Sequence, residues 1–399
     1  MRIHEVKKTP SEPEPPKRRS HPLIRLIAFL VTVALACGAV FLVVNRDKIN
    51  FDALRRWFTY RTLARSDTGV GESFAYQGGG SLTLAACNGD LLSVSQTGVR
   101  LYSPGGVAYV EDTVTLSHPV CQVSKNAAVV YDAGGTFLAV YRDREQVFQL
   151  EGNATILSAR LGTNGSLAVV TRSSGYKGVV TVYNSSFRRL LELNLSSAFA
   201  LDAVPSPDGR DVLVVAAGEQ DHLFNCTLAR YTIADIDPEN PVPSAVWPLG
   251  NRLPLDLIWD ANGIRVMAEY AALAADNELR ETAAVDWSDR YLKRYSLLCS
   301  DVFVTLTGKY QAGSQTTLEV YDRSGEQLGF LESSRPILDL SAAGKYVAVL
   351  SAQQLDIYTQ DLELYATIAN TQNASHVVLL EDGSAFLADQ STAWLQLPN

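Results

Sequence analysis

Beyond about residue 74, hydrophobic and polar residues alternate in short runs, and turn residues separate the runs. Examples are SLTLAAC, GDLLSVSQ and GVRLYS, with Asn-Gly, Gly-Asp or Gly-Gly between such runs. A period of two interrupted by these dipeptides predicts half-buried β-strands joined by hairpins. The main exception is the alanine-rich run YAALAADNELRE at residues 270–281, which fits either a helix or a long loop between strands.

The strands repeat. An apolar-x-apolar run ending in an aromatic residue and a polar turn recurs, as in VRLYSPGG, LAVYRDRE and LEVYDRSG. The recurring aromatics are Tyr102, Tyr141, Tyr183, Tyr231, Trp287, Tyr321, Tyr358 and Trp394. Their successive spacings of 34 to 56 residues approximate the length of a four-stranded propeller blade. The aromatics predict eight blades, or seven if residues 231–287 hold a single blade.

Closure of these sheets into a ring buries their faces and leaves only short edges, so the fold class predicted for residues 71–399 is an all-β β-propeller. Too few residues follow Trp394 to supply an outer strand for the last blade. Residues 73–77 form a spare strand at the start of the domain. Pairing of this strand with the C-terminal blade would close the ring.

Before the propeller lies an apolar segment, LIAFLVTVALACGAVFLVV at residues 26–44, which contains no charged residue. About 20 apolar residues cross a bilayer as a helix, so residues 23–45 are predicted to be a single transmembrane helix. A cleaved signal peptide, a lipoprotein signal at Cys37 and a buried core helix fit the pattern less well. Residues 1–22 are rich in Pro, Lys and Arg and are predicted to form a disordered tail, either solvated or a docking peptide.

Basic residues flank the segment in equal numbers on its two sides. The charges nearest to it are Arg18, Arg19 and Arg25 before it, and Arg46 and Lys48 after it. They favour a protein of the cell membrane whose N-terminus is cytoplasmic and whose propeller is extracytoplasmic.

Residues 46–70 place hydrophobic residues and arginines on different sides of a short helix. We expect an interfacial helix with Trp57 and Tyr60 at head-group level, and a plain basic linker is the alternative.

The net charge is -9 although both flanks of the apolar segment are basic, so the propeller carries the acidic excess. An acidic domain is a poor match for nucleic acid. Apart from Cys37 in the predicted span, the cysteines are Cys87, Cys121, Cys226 and Cys299, with no metal-binding spacing. We expect buried thiols, with a Cys87–Cys121 disulfide as the alternative.

Candidate chemistry is sparse. The five histidines, His4, His21, His118, His222 and His376, are isolated, and the chain contains no HExxH, GxSxG, GxGxxG or P-loop. The SPDG sequence that starts at Ser206 is typical of a tight turn. Asp235, Asp237, Glu239 and Asn240 loosely resemble calcium ligands but fit an acidic loop better. The sequence therefore predicts no catalytic, cofactor-binding or metal-binding residue.

The anchor, the INFDALRRWF stretch from Ile49 and the run LDIYTQDLELYATIANTQNASHVVLLEDGSAFL from Leu355 resemble a family of single-pass membrane-anchored β-propeller proteins from Gram-positive bacteria. That family has a domain of unknown function, so the resemblance implies an architecture but no activity. The repeats also resemble WD-repeat and quinoprotein-like propellers. The tryptophan-docking repeats that would hold a quinone cofactor are absent from the sequence.

These observations predict a membrane-anchored binding or scaffold module at the cell envelope. Its expected partners are the lipid bilayer and other envelope proteins or a wall polymer. A hydrolase or lyase with a site at the central channel mouth is one alternative, and it predicts titratable side chains that converge there. A ligand sensor that signals through the N-terminal tail is the other.

Overall fold

The computed structural model describes residues 26–33, 36, 51–78, 81–220, 222–237, 240–371 and 373–398. The chain forms two compact units, Met1–Arg55 and Arg56–Asn399. In the first unit, residues 26–33 are helical and exposed. Among the residues described, no helix is long and apolar enough to cross a membrane. Most of the predicted span at residues 23–45, the tail at residues 1–22 and Cys37 lie outside the described residues.

Helix α1 (Phe51–Thr59) crosses the boundary between the units, and strand β1 (Phe74–Ala75) follows it. The described part of the second unit contains eight four-stranded antiparallel sheets, the blades of a propeller. Blade 1 comprises β2 (Thr83–Cys87), β3 (Asp90–Ser95), β4 (Gly98–Tyr102) and β5 (Ala108–Thr113). Blade 2 comprises β6 (Pro119–Ser124), β7 (Ala127–Asp132), β8 (Leu138–Arg142) and β9 (Glu145–Gln149). Blade 3 comprises β10 (Thr155–Leu161), β11 (Leu167–Arg172), β12 (Gly178–Tyr183) and β13 (Arg189–Leu195).

The next three blades continue this order. Blade 4 comprises β14 (Phe199–Pro205), β15 (Asp211–Gln220), β16 (Leu223–Thr232) and β17 (Ala245–Gly250). Blade 5 comprises β18 (Pro254–Asp260), β19 (Gly263–Ala268), β20 (Ala271–Ala275) and β21 (Glu281–Asp286). Blade 6 comprises β22 (Tyr291–Ser296), β23 (Val302–Gly308), β24 (Thr316–Asp322) and β25 (Gln327–Ser333).

Blade 7 comprises β26 (Ile337–Ala343), β27 (Tyr346–Ser351), β28 (Gln354–Thr359) and β29 (Leu364–Ala369). Blade 8 combines β30 (His376–Leu379), β31 (Ala385–Ala388) and β32 (Thr392–Gln396) with β1, in the order β1-β32-β31-β30. Phe74 pairs with Ala393, and Ala75 pairs with Thr392. The first strands of the blades surround a central channel, and β30 contacts β2. The predictions of eight blades and of ring closure by the spare N-terminal strand are confirmed.

The recurring aromatics mark a structural feature. In five blades, the register between the third and fourth strands shifts at the aromatic residue. The residues at these bulges are Tyr102, Tyr141, Tyr183, Tyr321 and Tyr358. A bulge adds a residue and sharpens the local twist, so the aromatic sits where the blade turns toward its outer edge.

Blade 5 departs from the repeat, and here one sequence interpretation is wrong. Residues 271–275 are neither helix nor loop but the third strand. Trp287, the recurring aromatic of this blade, lies just beyond the fourth strand. The corresponding bulge falls at Ala275. The five alanine-rich positions are 0 to 3% exposed, and the strand packs among Trp247, Trp259 and Trp287 of neighbouring elements. Small side chains therefore make room for large ones, and this packing outweighs the helical propensity of alanine.

The predicted helix after the apolar segment is present as α1 and exposes Trp57, but the expectation for Tyr60 differs from what the structure shows. Tyr60 is 5% exposed and packs with Tyr76 and Leu395 of blade 8. Arg56, in the last turn of α1, is also buried. The prediction that Tyr60 lies at lipid head groups is therefore wrong, because the propeller covers it.

Candidate docking face and central channel

Two faces of the ring are distinguished by the loops they carry. The BC face is the side formed by the loops between the second and third strands of each blade and by the connections between blades. The AB face is the opposite side, formed by the loops between the first and second strands and between the third and fourth strands. Because strands alternate in direction, all loops of one kind emerge on the same side of the ring.

Exposed apolar side chains cluster on the BC face of blades 3 to 6. We call this cluster the aromatic patch; its members, 36 to 70% exposed, are Tyr176, Phe199, Leu201, Leu223, Phe224, Leu253, Leu255, Tyr270, Tyr291 and Tyr310. On the described BC-face loops of blades 1, 2, 7 and 8, no large hydrophobic residue reaches this exposure. The patch is therefore confined to one half of the face.

A projecting hairpin extends the patch in blade 4. Strands β15 and β16 have ten residues each and pair with one another as far as Gln220 and Leu223. The neighbouring strands stop earlier, since β14 reaches only Ala217 and β17 only Cys226. The tip therefore stands clear of the sheet and carries Leu223, which is 70% exposed, and Phe224.

Two lysines lie beside aromatic rings of the patch. The Nζ atom of Lys177 is 5.2 Å from the centroid of the Phe199 ring and donates a hydrogen bond to the Ser197 carbonyl oxygen at 2.9 Å. The Nζ atom of Lys309 is 5.7 Å from the centroid of the Tyr310 ring. At these distances the ammonium groups are attracted to the ring faces, so each lysine stabilises its aromatic neighbour at the surface.

A groove of about 720 Å³ runs through the patch between blades 5 and 6. Its walls include Leu255, Tyr270, Tyr291, Lys293 and Gln311. The Lys293 Nζ donates to the Gly313 carbonyl oxygen at 2.6 Å, so this cation is held at the groove wall. A hydrogen bond to Glu269 raises the pKa of Tyr270. The groove thus combines aromatic walls with fixed polar groups, as ligand-binding clefts do.

The central channel is crossed by an arginine. Arg160 on β10 is 8% exposed. Its Nε lies 2.5 Å from Asp202 Oδ2 on β14, and its Nη1 lies 2.7 Å from Asp256 Oδ1 on β18. The same Nη1 donates to Gln122 Oε1 at 3.2 Å and to the Leu257 carbonyl oxygen at 3.1 Å. Burial lowers the pKa of Arg160, but the two carboxylates outweigh it and raise that pKa overall. One guanidinium therefore joins blades 2 to 5.

A second channel ion pair lies across the ring. Arg294 Nη1 is 3.2 Å from Asp339 Oδ1, and the Val377 amide donates to Asp339 Oδ2 at 3.0 Å. Burial raises the pKa of Asp339, while the Val377 amide and Arg294 act in the opposite direction. Titratable groups therefore converge in the channel, as a channel-mouth enzyme would need, but these ones are engaged in ion pairs with one another across blades.

The channel aspartates carry a signal that the sequence interpretation missed. Each follows a leucine, at Leu201-Asp202, Leu255-Asp256 and Leu338-Asp339, and lies at a register shift between the first two strands of its blade. In all three, Oδ1 accepts a hydrogen bond from the amide of the next residue at 2.8 to 3.0 Å. In the first strands of blades 4, 5 and 7, a Leu-Asp pair thus marks a bulge.

The residues weighed from the sequence as sites are dispersed. His118 lies between blades 1 and 2, His222 at the tip of the blade 4 hairpin, and His376 at the start of β30. Within the described ranges, no group of three or more His, Cys, Asp or Glu residues could hold a metal ion. His4, His21 and Glu239 lie outside the described residues, while Asp235, Asp237 and Asn240 lie in the connection before β17.

The SPDG turn is structural, as predicted. Ser206 Oγ donates to Asp208 Oδ1 at 2.7 Å, and the Asp211 amide donates to Ser206 Oγ at 2.9 Å. Gly209 has φ +73°, a conformation that glycine adopts without strain. The hydrogen bond from Ser206, followed by that from the Arg210 amide, lowers the pKa of Asp208.

The four described cysteines, Cys87, Cys121, Cys226 and Cys299, are free thiols. Cys87, Cys226 and Cys299 are buried thiols, as expected, while Cys121 is partly exposed and does not pair with Cys87. Burial raises the pKa of Cys87 to about 11, and Asp90 adds to the effect.

Comparison with solved structures shows a WD40-like propeller fold. The C-terminal WD40 domain of Sif2 aligns with a TM-score of 0.58 at 13% identity, covering 83% of this chain and 99% of that chain. Hydrazine synthase from Kuenenia stuttgartiensis aligns with a TM-score of 0.42 at 12% identity, covering 84% and 98%. KlHsv2 with loop 6CD replaced by a Gly-Ser linker aligns with a TM-score of 0.44 at 12% identity, covering 70% and 96%.

No curated protein sequence matches this chain. The model of a protein family described as "Family of unknown function (DUF5711)" matches residues 67–240. The match begins before β1 and ends in the connection after β16. Over these residues, which carry the first four blades except β17, the chain is similar to that family.

Proposed function

We propose that this protein is a membrane-anchored module of the cell envelope that binds a partner protein through the aromatic patch. The observation that carries the proposal is the confinement of ten exposed apolar side chains to the BC face of four consecutive blades. Apolar residues scattered over a whole surface are normal, whereas their concentration on one side of a protein favours an interaction site.

The size of the patch fits a protein interface. Six of its side chains are aromatic and about half exposed. A buried aromatic side chain covers about 150–250 Å², so the six present roughly 600 Å² in total. A standard interface needs about 800 Å² from each partner, and the four leucines of the patch supply the remainder.

The composition of the patch favours a protein over a wall polymer. Leu201, Leu223, Leu253 and Leu255 are 36 to 70% exposed, and aliphatic groups gain from burial only against another apolar surface. Sugar rings would engage the flat aromatic faces but would leave these leucines solvated. The expected partner is therefore an apolar helix or extended segment of an envelope protein.

Binding, rather than catalysis, also fits the channel. The carboxylates of Asp202 and Asp256 are held by Arg160, and their Oδ1 atoms also accept hydrogen bonds from backbone amides. A carboxylate committed in this way stabilises the ring instead of accepting a proton from a substrate.

Site-specific photo-crosslinking tests the docking face. A photoreactive residue at position 224 in the full chain, expressed in membranes, should give a discrete adduct with one protein. Tyr270→Ser/Tyr291→Ser should abolish that adduct. The matched control Val107→Ser/Phe330→Ser removes residues that are 59% and 60% exposed outside the patch and should leave the adduct unchanged. An adduct that forms equally from position 330, or one made with glycan, would contradict the proposal.

A protease test addresses the envelope location. Protease added to intact cells should remove a tag at the C-terminus if the propeller is extracytoplasmic, in line with the charges nearest the predicted span. A tag that survives until the cells are permeabilised would place the propeller in the cytoplasm and overturn the envelope part of the proposal.

A further inference from the structure

Helix α1 buries an arginine and exposes its apolar side, which is the reverse of the arrangement that water favours. Arg56 is 6% exposed, while Trp57 and Phe58 are 55% and 57% exposed. Earlier in the helix, Phe51 and Leu54 are 47% and 54% exposed. At 100° per residue, these four apolar residues share one side and Arg56 lies on the other. A helix that buries its arginine and exposes its aromatics is suited to an apolar environment on its outer side.

The buried side of the helix is fixed to the AB face near blades 7 and 8. Arg56 Nη1 donates to the Asp382 carbonyl oxygen, and Nη2 donates to the Tyr365 hydroxyl at 2.8 Å. The guanidinium carbon also lies 5.8 Å from the Tyr365 ring centroid. One residue beyond the helix, the Tyr60 hydroxyl is 3.4 Å from Ser384 Oγ. These contacts prevent the helix from rolling, so Trp57 and Phe58 are held facing outward.

We infer that Trp57 and Phe58 dock on the surface of the lipid bilayer and hold the propeller against it. The inference rests on the anchoring part of the proposed function. Only residues 46–50 separate the predicted span from α1, and five residues reach at most about 18 Å when extended. The helix that carries Trp57 and Phe58 therefore lies within reach of the interface that the span crosses.

The charges near these residues agree with a lipid surface. Arg55, Arg61 and Arg65 are exposed. Residues 56–399 carry 24 Lys and Arg against 38 Asp and Glu, so the propeller unit as a whole is repelled by anionic lipid. The segment from Arg55 to Arg65 is a local basic site in this acidic surrounding. Trp57 and Phe58 form an edge-to-face pair with centroids 4.7 Å apart, a rigid aromatic wedge suited to the head-group region. Docking through the AB face leaves the aromatic patch on the opposite face, free for its partner.

Tryptophan emission provides a direct test. The chain has five tryptophans, and the other four, Trp247, Trp259, Trp287 and Trp394, are 1 to 4% exposed inside the propeller. The full-length protein is reconstituted into phosphatidylcholine–phosphatidylglycerol vesicles whose acyl chains are brominated or not. Brominated lipid should quench part of the emission of the native protein, and Trp57→Phe should remove that quenching while flotation with the vesicles is unchanged.

The possible outcomes distinguish failure of bilayer docking from failure of the proposed membrane anchor. Flotation without Trp57-dependent quenching overturns bilayer docking but leaves the anchored module intact. Failure to float overturns the anchor itself. In a third measurement, aqueous iodide quenches exposed Trp57. If the protection of Trp57 from iodide increases with protein concentration and not with lipid concentration, the surface belongs to a contact with a second copy of the chain, and the inference is also overturned.

Discussion

Replacement of Arg160 by methionine should destabilise the propeller more than any surface change. The side chain removed is 9% exposed, and the carboxylates left behind, Asp202 and Asp256, are 17% and 25% exposed. Removal of one partner from a buried ion pair costs about 3–5 kcal/mol, because the remaining charge is neither paired nor hydrated. Both carboxylates retain some contact with water, so we expect the lower end, about 3 kcal/mol.

The free energy of unfolding is measured by urea denaturation of the purified full-length protein, followed by the emission of the buried tryptophans. The matched control is Arg189→Met, which breaks an exposed ion pair with Glu192. That change should cost less than about 0.5 kcal/mol, as surface pairs do. The triple variant Arg160→Met/Asp202→Asn/Asp256→Asn should recover more than half of the loss, because it leaves no unpaired charge. A triple variant no more stable than the single variant Arg160→Met would refute the reasoning.

Three further changes test the packing. Gly106 has φ +81°, and a Cβ atom there would lie 2.4 Å from the Phe74 Cβ, so Gly106→Ala should lower stability by about 1–3 kcal/mol in thermal unfolding. Gly134→Ala has similar φ but open space, and an equal loss there would mean that contact with Phe74 does not matter. Ala274→Leu, at 1% exposure, should cost about 1–3 kcal/mol through overpacking, and an unchanged urea midpoint would contradict the tight packing of β20. Cys87, with its pKa raised to about 11, should react with an aromatic disulfide at pH 8 roughly a hundredfold more slowly than after denaturation, and equal rates would contradict its burial.

Much of the fold could be predicted because each blade repeats the same local sequence pattern. The run before Tyr321, LEVYDRSG, alternates, ends in an aromatic and enters a turn, and each of these features acts within a few residues. Ring closure followed from counting strands. Blade 5 was misinterpreted because alanine has high helical propensity, and only the tryptophans from distant elements show why alanine is needed in β20.

The candidate docking site could not be predicted in the same way. Exposure of Phe199 on a strand and burial of Phe303 on another depend on where each strand lies in the closed ring. The sequence does contain one local hint, since Leu223 and Phe224 follow a polar turn directly, where a hairpin tip is normally polar. The burial of Arg56 was also missed, because a helical pattern shows that two sides differ but not which polar residue the protein will cover.

The pairing of β1 with β32 determines when the molecule can be complete. Phe74 and Ala393 are joined across roughly 320 residues, and closing a loop of that length costs about 5 kcal/mol of chain entropy beyond a constant term. Seven blades can form from neighbouring segments as the chain emerges, but the eighth must wait for the last strand to be synthesised. Until then β1 has no partner strand, and the ring stays open between blades 7 and 1.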